Sequence, residues 1–186
     1  MTVSNSHSQN TPTDSRPWLD ECGLEALNPG QDVLDWLTFD GLLTPRLRLH
    51  SAVPVSLAVL REEPIARHGN DTDLLREVAL SAGGERLVYA LSWFPAQVIS
   101  RNPWLKTLAQ KPLGDALCAL PNVSRSNFEF QHILAGEPRY ERAVETSDER
   151  PSGLWARRSR FNLEGGSVLV EEVFLPGVFA GSTCPG

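Results

Sequence analysis

The sequence predicts an α+β domain: a single antiparallel sheet of about six strands, with short helices set between its hairpins. Three observations carry this expectation. Two segments, Leu74 to Phe94 and Gly153 to Pro176, each hold two alternating runs rich in β-branched and aromatic residues on either side of a glycine pair, Gly83-Gly84 and Gly165-Gly166. That is the local signature of an antiparallel hairpin. The helical patterns between the hairpins are short, and the βαβ rhythm of a doubly wound sheet is missing.

In chain order, residues 1–16 are rich in Ser, Thr, Asn and Gln with almost nothing apolar, so a disordered tail is expected there and one domain over 17–186. Val33, Leu34 and Leu37 at helical spacing predict a short helix over Gln31–Leu37, with a turn at Asp40-Gly41 after it. Leu42–Leu49 stays open, because Pro45 fits either the first turn of a second helix or a break in an extended segment. Val53–Leu60 reads as a strand and the polar stretch Arg61–Asp73 as a loop.

On the first arm of the first hairpin Leu74, Arg76, Val78 and Leu80 share a face. A turn at the glycine pair would set Val78 against Tyr89 and Leu80 against Leu87. Asn102 as N-cap and Pro103 at the first helical position predict a helix over NPWLKTLAQK, and a further one is expected over Asp115–Leu120. Asn127–Leu134 alternates as a strand. The densely charged run Glu137–Arg150 reads as an exposed excursion. In the last hairpin Val168, Val170, Glu172 and Phe174 share one face, and Arg157 falls among Trp155, Ser159, Phe161 and Leu163 on the other arm. A turn centred on the glycine pair would place Ser159 opposite Glu172, with Arg157 on the diagonal.

Composition narrows the function. With 186 residues there is room for a sizeable core, while a net charge of −6 argues against a general binder of nucleic acid or anionic membranes. Cys22, Cys118 and Cys184 are scattered, odd in number and without CxxC spacing, so neither a disulfide framework nor a zinc site is expected. The N-terminus has no apolar core of a signal peptide and no run is long enough to span a membrane, which points to a cytoplasmic protein. The glycine-rich nucleotide motifs, HExxH and GxSxG are absent, and His7, His50, His68 and His132 share no ligand spacing.

What remains is Arg76 and Glu172, each a charge embedded in the apolar face of a different hairpin. An isolated buried charge is costly, so a partner or a ligand is expected. A guanidinium grips a carboxylate with two parallel donors, and a carboxylate accepts a hydroxyl proton, so the pair suits a small anionic ligand. Two residues of opposite sign also suit a plain buried ion pair, and the pattern alone leaves both readings open. Trp36, Trp93, Trp104 and Trp155 fit core packing better than a stacking platform, and Cys118 fits a small core residue better than a nucleophile.

At these residues the chain resembles a known family. GLWARRSRF followed by EEVFLP looks like the C-terminal signature of the chorismate pyruvate-lyases, which convert chorismate into 4-hydroxybenzoate and pyruvate for ubiquinone biosynthesis. DWLTFDGLLTPRL (Asp35 to Leu47), LLREVALSAGGERLVYALSWFP (Leu74 to Pro95) and KPLGDAL (Lys111 to Leu117) agree with the family in order and spacing. The resemblance implies a single antiparallel sheet whose helical flaps cover an internal ligand cavity. It implies that Arg76 holds the ring carboxylate and Glu172 meets the ring hydroxyl. Leu43 and Leu113 match two loop positions whose backbones contact the ligand. Arg157 is a candidate for the enolpyruvyl carboxylate or for holding Glu172 in place. No metal or organic cofactor is implied, the partners are chorismate and 4-hydroxybenzoate alone, and a monomer is expected.

The chain departs from the family at three places. Leu91 stands where the family can carry an arginine, Pro45 replaces an expected basic residue, and the charged run over 137–150 looks like an insertion. The rival reading is a non-catalytic sensor of small aromatic carboxylates, since effector domains of some bacterial transcription regulators share this fold. Those domains follow a winged-helix reader, for which the short polar tail leaves too little chain.

Overall fold

The computed structural model describes residues 16–67 and 71–180. The expected tail, except Arg16, lies outside them, as do His7, His68, Cys184 and the side chain of Cys118. In order the elements are α1 (Glu21–Ala26), α2 (Gln31–Thr38), α3 (Leu43–His50), β1 (Val55–Ala66), β2 (Thr72–Ala82), β3 (Glu85–Phe94), α4 (Ala96–Arg101), a 3-10 turn (Pro103–Thr107), α5 (Leu113–Cys118), β4 (Ser124–Arg125), β5 (Glu129–Leu134), α6 (Pro138–Ala143), β6 (Gly153–Leu163), β7 (Gly166–Phe174) and α7 (Gly177–Ala180). The seven strands form one antiparallel sheet in the order β1-β2-β3-β7-β6-β4, with β5 also on β6.

Helices cover one face in two groups. Leu24, Trp36, Leu37, Leu43 and Leu47 from α1–α3 pack on Leu80, Val88, Ala90, Phe130 and Phe174 of the sheet. Val98, Ile99, Leu105 and Leu108, from α4 and the turn after it, pack on Phe94 and Val168. The groups are separate apolar clusters over different parts of one face, and the space between them is where a ligand can sit.

Several elements differ from the sequence reading, each for a physical reason. Pro45 is the third residue of α3, within the first turn, where its missing N–H costs nothing. β1 continues through Arg61–Ala66 instead of ending in a loop, with a bulge between Val59 and Arg61. As the outermost strand it accepts Pro64 and a polar run that an inner strand would not. Near the first glycine turn Ser81 faces Arg86, but a bulge between Leu80 and Ser81 pairs Val78 with Ala90 and Leu80 with Val88, in place of the expected Tyr89 and Leu87. Asn102 does not cap a helix through its side chain; its Nδ2 donates to the Val98 carbonyl at 2.9 Å and the Glu164 carbonyl at 2.8 Å. α5 begins at Leu113, two residues before the expected Asp115.

The run over 137–150 is not an exposed excursion. Tyr140, Ala143 and Val144 recur at helical spacing within it and are buried, packing on Tyr89, Ala156 and Val173 of the sheet's other face. The charges around them hid this stripe.

In the last hairpin Leu163 pairs with Gly166, so the loop is Glu164-Gly165 and not the glycine pair itself. Moving the turn by one residue pairs Arg157 directly with Glu172, and Ser159 with Val170. Gly153, where β6 begins, has no room for a side chain: a Cβ there would stand 2.6 Å from the His132 ring and 2.9 Å from the Ile133 carbonyl. That ring packs tilted against Trp155, with centroids 4.6 Å apart. Gly153→Ala is therefore expected to cost about 1–3 kcal/mol, read as a lower urea midpoint at unchanged slope.

Candidate active site

The register of the sheet brings the polar residues of the helix-covered face into two adjoining rows. Arg76, Ser92, Val170 and Ser159 are successive partners across β2, β3, β7 and β6. Val78, Ala90, Glu172 and Arg157 form the next row. Above them a cavity of about 660 Å³, open solvent at its mouth included, is walled by both rows apart from Arg76, and by residues 41–44 and 112–115 of the two helical groups.

Glu172 and Arg157 are held together. Arg157 Nε donates to Glu172 Oε2 at 2.6 Å. Its Nη1 donates to the carbonyls of Trp36, Leu37 and Phe39 at 3.3, 3.2 and 2.8 Å, at the C-terminal end of α2. With its side chain 1% exposed and over the Phe128 ring at 4.2 Å, Arg157 is a cross-brace between the carboxylate and the first helical group. Its Nε and Nη1 serve protein acceptors, so this geometry supplies the role of holding Glu172.

Arg76 is arranged differently. It does not pair with Glu172, which lies on the other row and two strands away, so the simple buried pair of the two is excluded. The residue is 2% exposed. Its Nη2 donates to the carbonyl of Ala109 and, at 3.4 Å, to that of Lys111, while Nε and Nη1 are buried with no hydrogen-bond partner. Desolvation lowers its pKa from the usual arginine range, opposed by Glu62. Arginine stays protonated in proteins, so this is a cation kept partly undressed beside the cavity. It touches the wall through its neighbours: Ser92 in its own row and Pro112 next to Lys111 both line the cavity.

Leu43 and Leu113 line the cavity as the first residues of α3 and α5, not as loop residues. Neither helix has a side-chain hydrogen bond at its N-cap. The two helical groups also touch each other through Arg48 and Asp115, 3.7 Å apart.

Leu91 faces the opposite side of the sheet, between Glu77 and Glu171 in register. Those carboxylates pair with Arg142 at 2.7 Å and Arg139 at 2.8 Å, both from α6. Two arginines of α6 thus stand beside Leu91 on that face. Sequence reasoning missed Ser92 and Arg125 on the cavity wall. Ser92 was legible, being two residues from Ala90 on a recognised strand; Arg125 sits on a two-residue strand that no periodicity reveals.

Residues 15–183 match the family model for chorismate lyase. A probable chorismate pyruvate-lyase of Aromatoleum aromaticum is 37% identical over 155 residues, covering 76% of this chain and 83% of that protein. One from an Azoarcus species is 35% identical over 159 residues, covering 77% and 83%. Among solved structures the effector domain of PhnF from Mycobacterium smegmatis superposes with a TM-score of 0.52 at 10% identity, over 74% of this chain and 90% of that one. Identity that low speaks to the fold alone.

Proposed function

The chain belongs to the chorismate lyase family, and on that footing we propose that it eliminates pyruvate from chorismate to leave 4-hydroxybenzoate, for ubiquinone biosynthesis. The observation that carries the reading is Arg76, a buried guanidinium with two unpartnered nitrogens beside a cavity whose wall holds Glu172. Such a cation invites a carboxylate, and Glu172, standing two strands away, is placed for a polar group at the far side of a ring.

In the reaction the ether bond between ring and enolpyruvyl oxygen breaks, and the neighbouring hydroxyl-bearing carbon loses its proton. The departing enolpyruvate takes up a proton to become pyruvate. Aromatisation drives the step, so the protein has to position the ring, exclude water and stabilise charge on the leaving group. In this reading Arg76 anchors the ring carboxylate, and the backbone N–H groups at Leu43 and Leu113 meet substrate oxygens. Glu172, with Oε2 committed to Arg157, offers its other oxygen to the ring hydroxyl and steadies the carbon that loses its proton.

The test is incubation with chorismate, following 4-hydroxybenzoate by absorbance and pyruvate by a coupled dehydrogenase. Equimolar release of both is expected. A melting-temperature rise with chorismate or 4-hydroxybenzoate but no product would instead identify a sensor of aromatic carboxylates.

A further inference from the structure

Chorismate is a dianion, and the roles above account for only one of its carboxylates. Two cationic side chains, Arg157 and Arg125, stand on the cavity wall. Arg157 is committed to Glu172 and to three carbonyls. Arg125 is committed to something more easily given up. It lies on β4 beyond Phe161, four strand positions from Arg76, and it also borders a shallow groove leading outward past Asp40 and Leu120. Its guanidinium rests over the Phe128 ring at 4.4 Å and donates to the carbonyl and carboxylate of Asp40.

The Asp40 side chain is 95% exposed while that of Arg125 is 19% exposed. An ion pair whose acid stands in solvent contributes little, so releasing it costs little. Around the cavity Glu172 offsets Arg157 and Asp115 is paired with Arg48, leaving Arg76 as the cation of these groups with no carboxylate in direct contact and only Glu62 acting on it from the neighbouring strand. A monoanion is matched by that charge; a dianion is matched when Asp40 withdraws and Arg125 turns its fork inward.

Resting on the lyase reading, we propose that Arg125 is the specificity residue that receives the enolpyruvyl carboxylate, with Asp40 the internal anion it exchanges for it. The ring then lies toward Arg76 and the departing three-carbon unit toward the mouth. After cleavage Arg125 returns to Asp40, and 4-hydroxybenzoate is held by Arg76 and Glu172.

The experiment compares two ligands that cannot react: 4-hydroxybenzoate, with one carboxylate, and 3-(carboxymethoxy)-4-hydroxybenzoate, which adds a carboxylate on an ether at the ring position of the enolpyruvyl group. Calorimetric Kd values are measured for the wild-type protein, Arg125→Gln, Arg125→Lys and Asp40→Asn, beside KM for chorismate. Arg125→Gln is expected to weaken the dicarboxylate and raise KM by about 10- to 100-fold, with 4-hydroxybenzoate affinity within threefold of wild type. Arg125→Lys should recover part of the loss, and Asp40→Asn should tighten the dicarboxylate severalfold. Equal weakening of both ligands in Arg125→Gln, or no weakening of either, overturns the assignment. A wild-type protein that shows the dicarboxylate preference but releases no pyruvate from chorismate refutes the lyase reading and leaves Arg125 as a carboxylate receptor.

Discussion

Arg76→Met is expected to lower kcat/KM for chorismate by about 100- to 1000-fold while the melting temperature stays at or above that of the wild type. The first half follows from losing a buried charge-assisted contact to a carboxylate, roughly 3–4 kcal/mol. The second half follows from Arg76 having no carboxylate of its own: two of its nitrogens are buried without acceptors. Replacing such a cation by an apolar side chain of similar length removes a desolvation cost and leaves no anion stranded. Opposite movements of activity and stability are the signature of a binding residue. Steady-state kinetics with thermal melts of the unliganded protein decide it. Near-normal turnover would sink the anchoring role, and a variant that fails to fold would make Arg76 a structural cation.

Arg157→Met should behave in the reverse sense and lose about 3–5 kcal/mol of stability, since it strips the partner from Glu172 and from the carbonyls ending α2. That is a large share of the total for a domain of this size. Adding Glu172→Leu should return part of the loss, because the stranded carboxylate is gone. Urea midpoints of the single and double variants measure the coupling. If the second change adds to the first with no recovery, the pair is not the brace described here.

The contrast between the two arginines was only partly legible in the sequence. Alternation put Arg76, Arg157 and Glu172 on inward faces, and those faces are the observed ones, because a strand's period of two survives any shift by an even number of residues. The partner of each charge was not legible. It depended on Glu164-Gly165 forming the turn, which moves Arg157 from the diagonal to a position directly across from Glu172. The same holds for the bulge beside Leu80, which no residue pattern announces. α6 was missed because Tyr140, Ala143 and Val144 are a thin apolar stripe among charges. The carbonyls that cap Arg76 come from the end of the segment read as a helix over NPWLKTLAQK, where the observed 3-10 turn stops at Thr107 and Ala109 adopts a positive φ of 47°.

The polar second half of β1 bears on how the molecule meets its own copies. A twelve-residue outer strand offers a row of unpaired N–H and C=O groups on which another chain could add a strand. Here Pro64 removes one donor, the bulge after Val59 twists the edge, and Arg61 and Glu63 pair with each other beside it. The residues that made this segment look like a loop are those that discourage intermolecular sheet growth, so a change restoring a smooth apolar edge there would trade solubility for a strand that is easier to recognise.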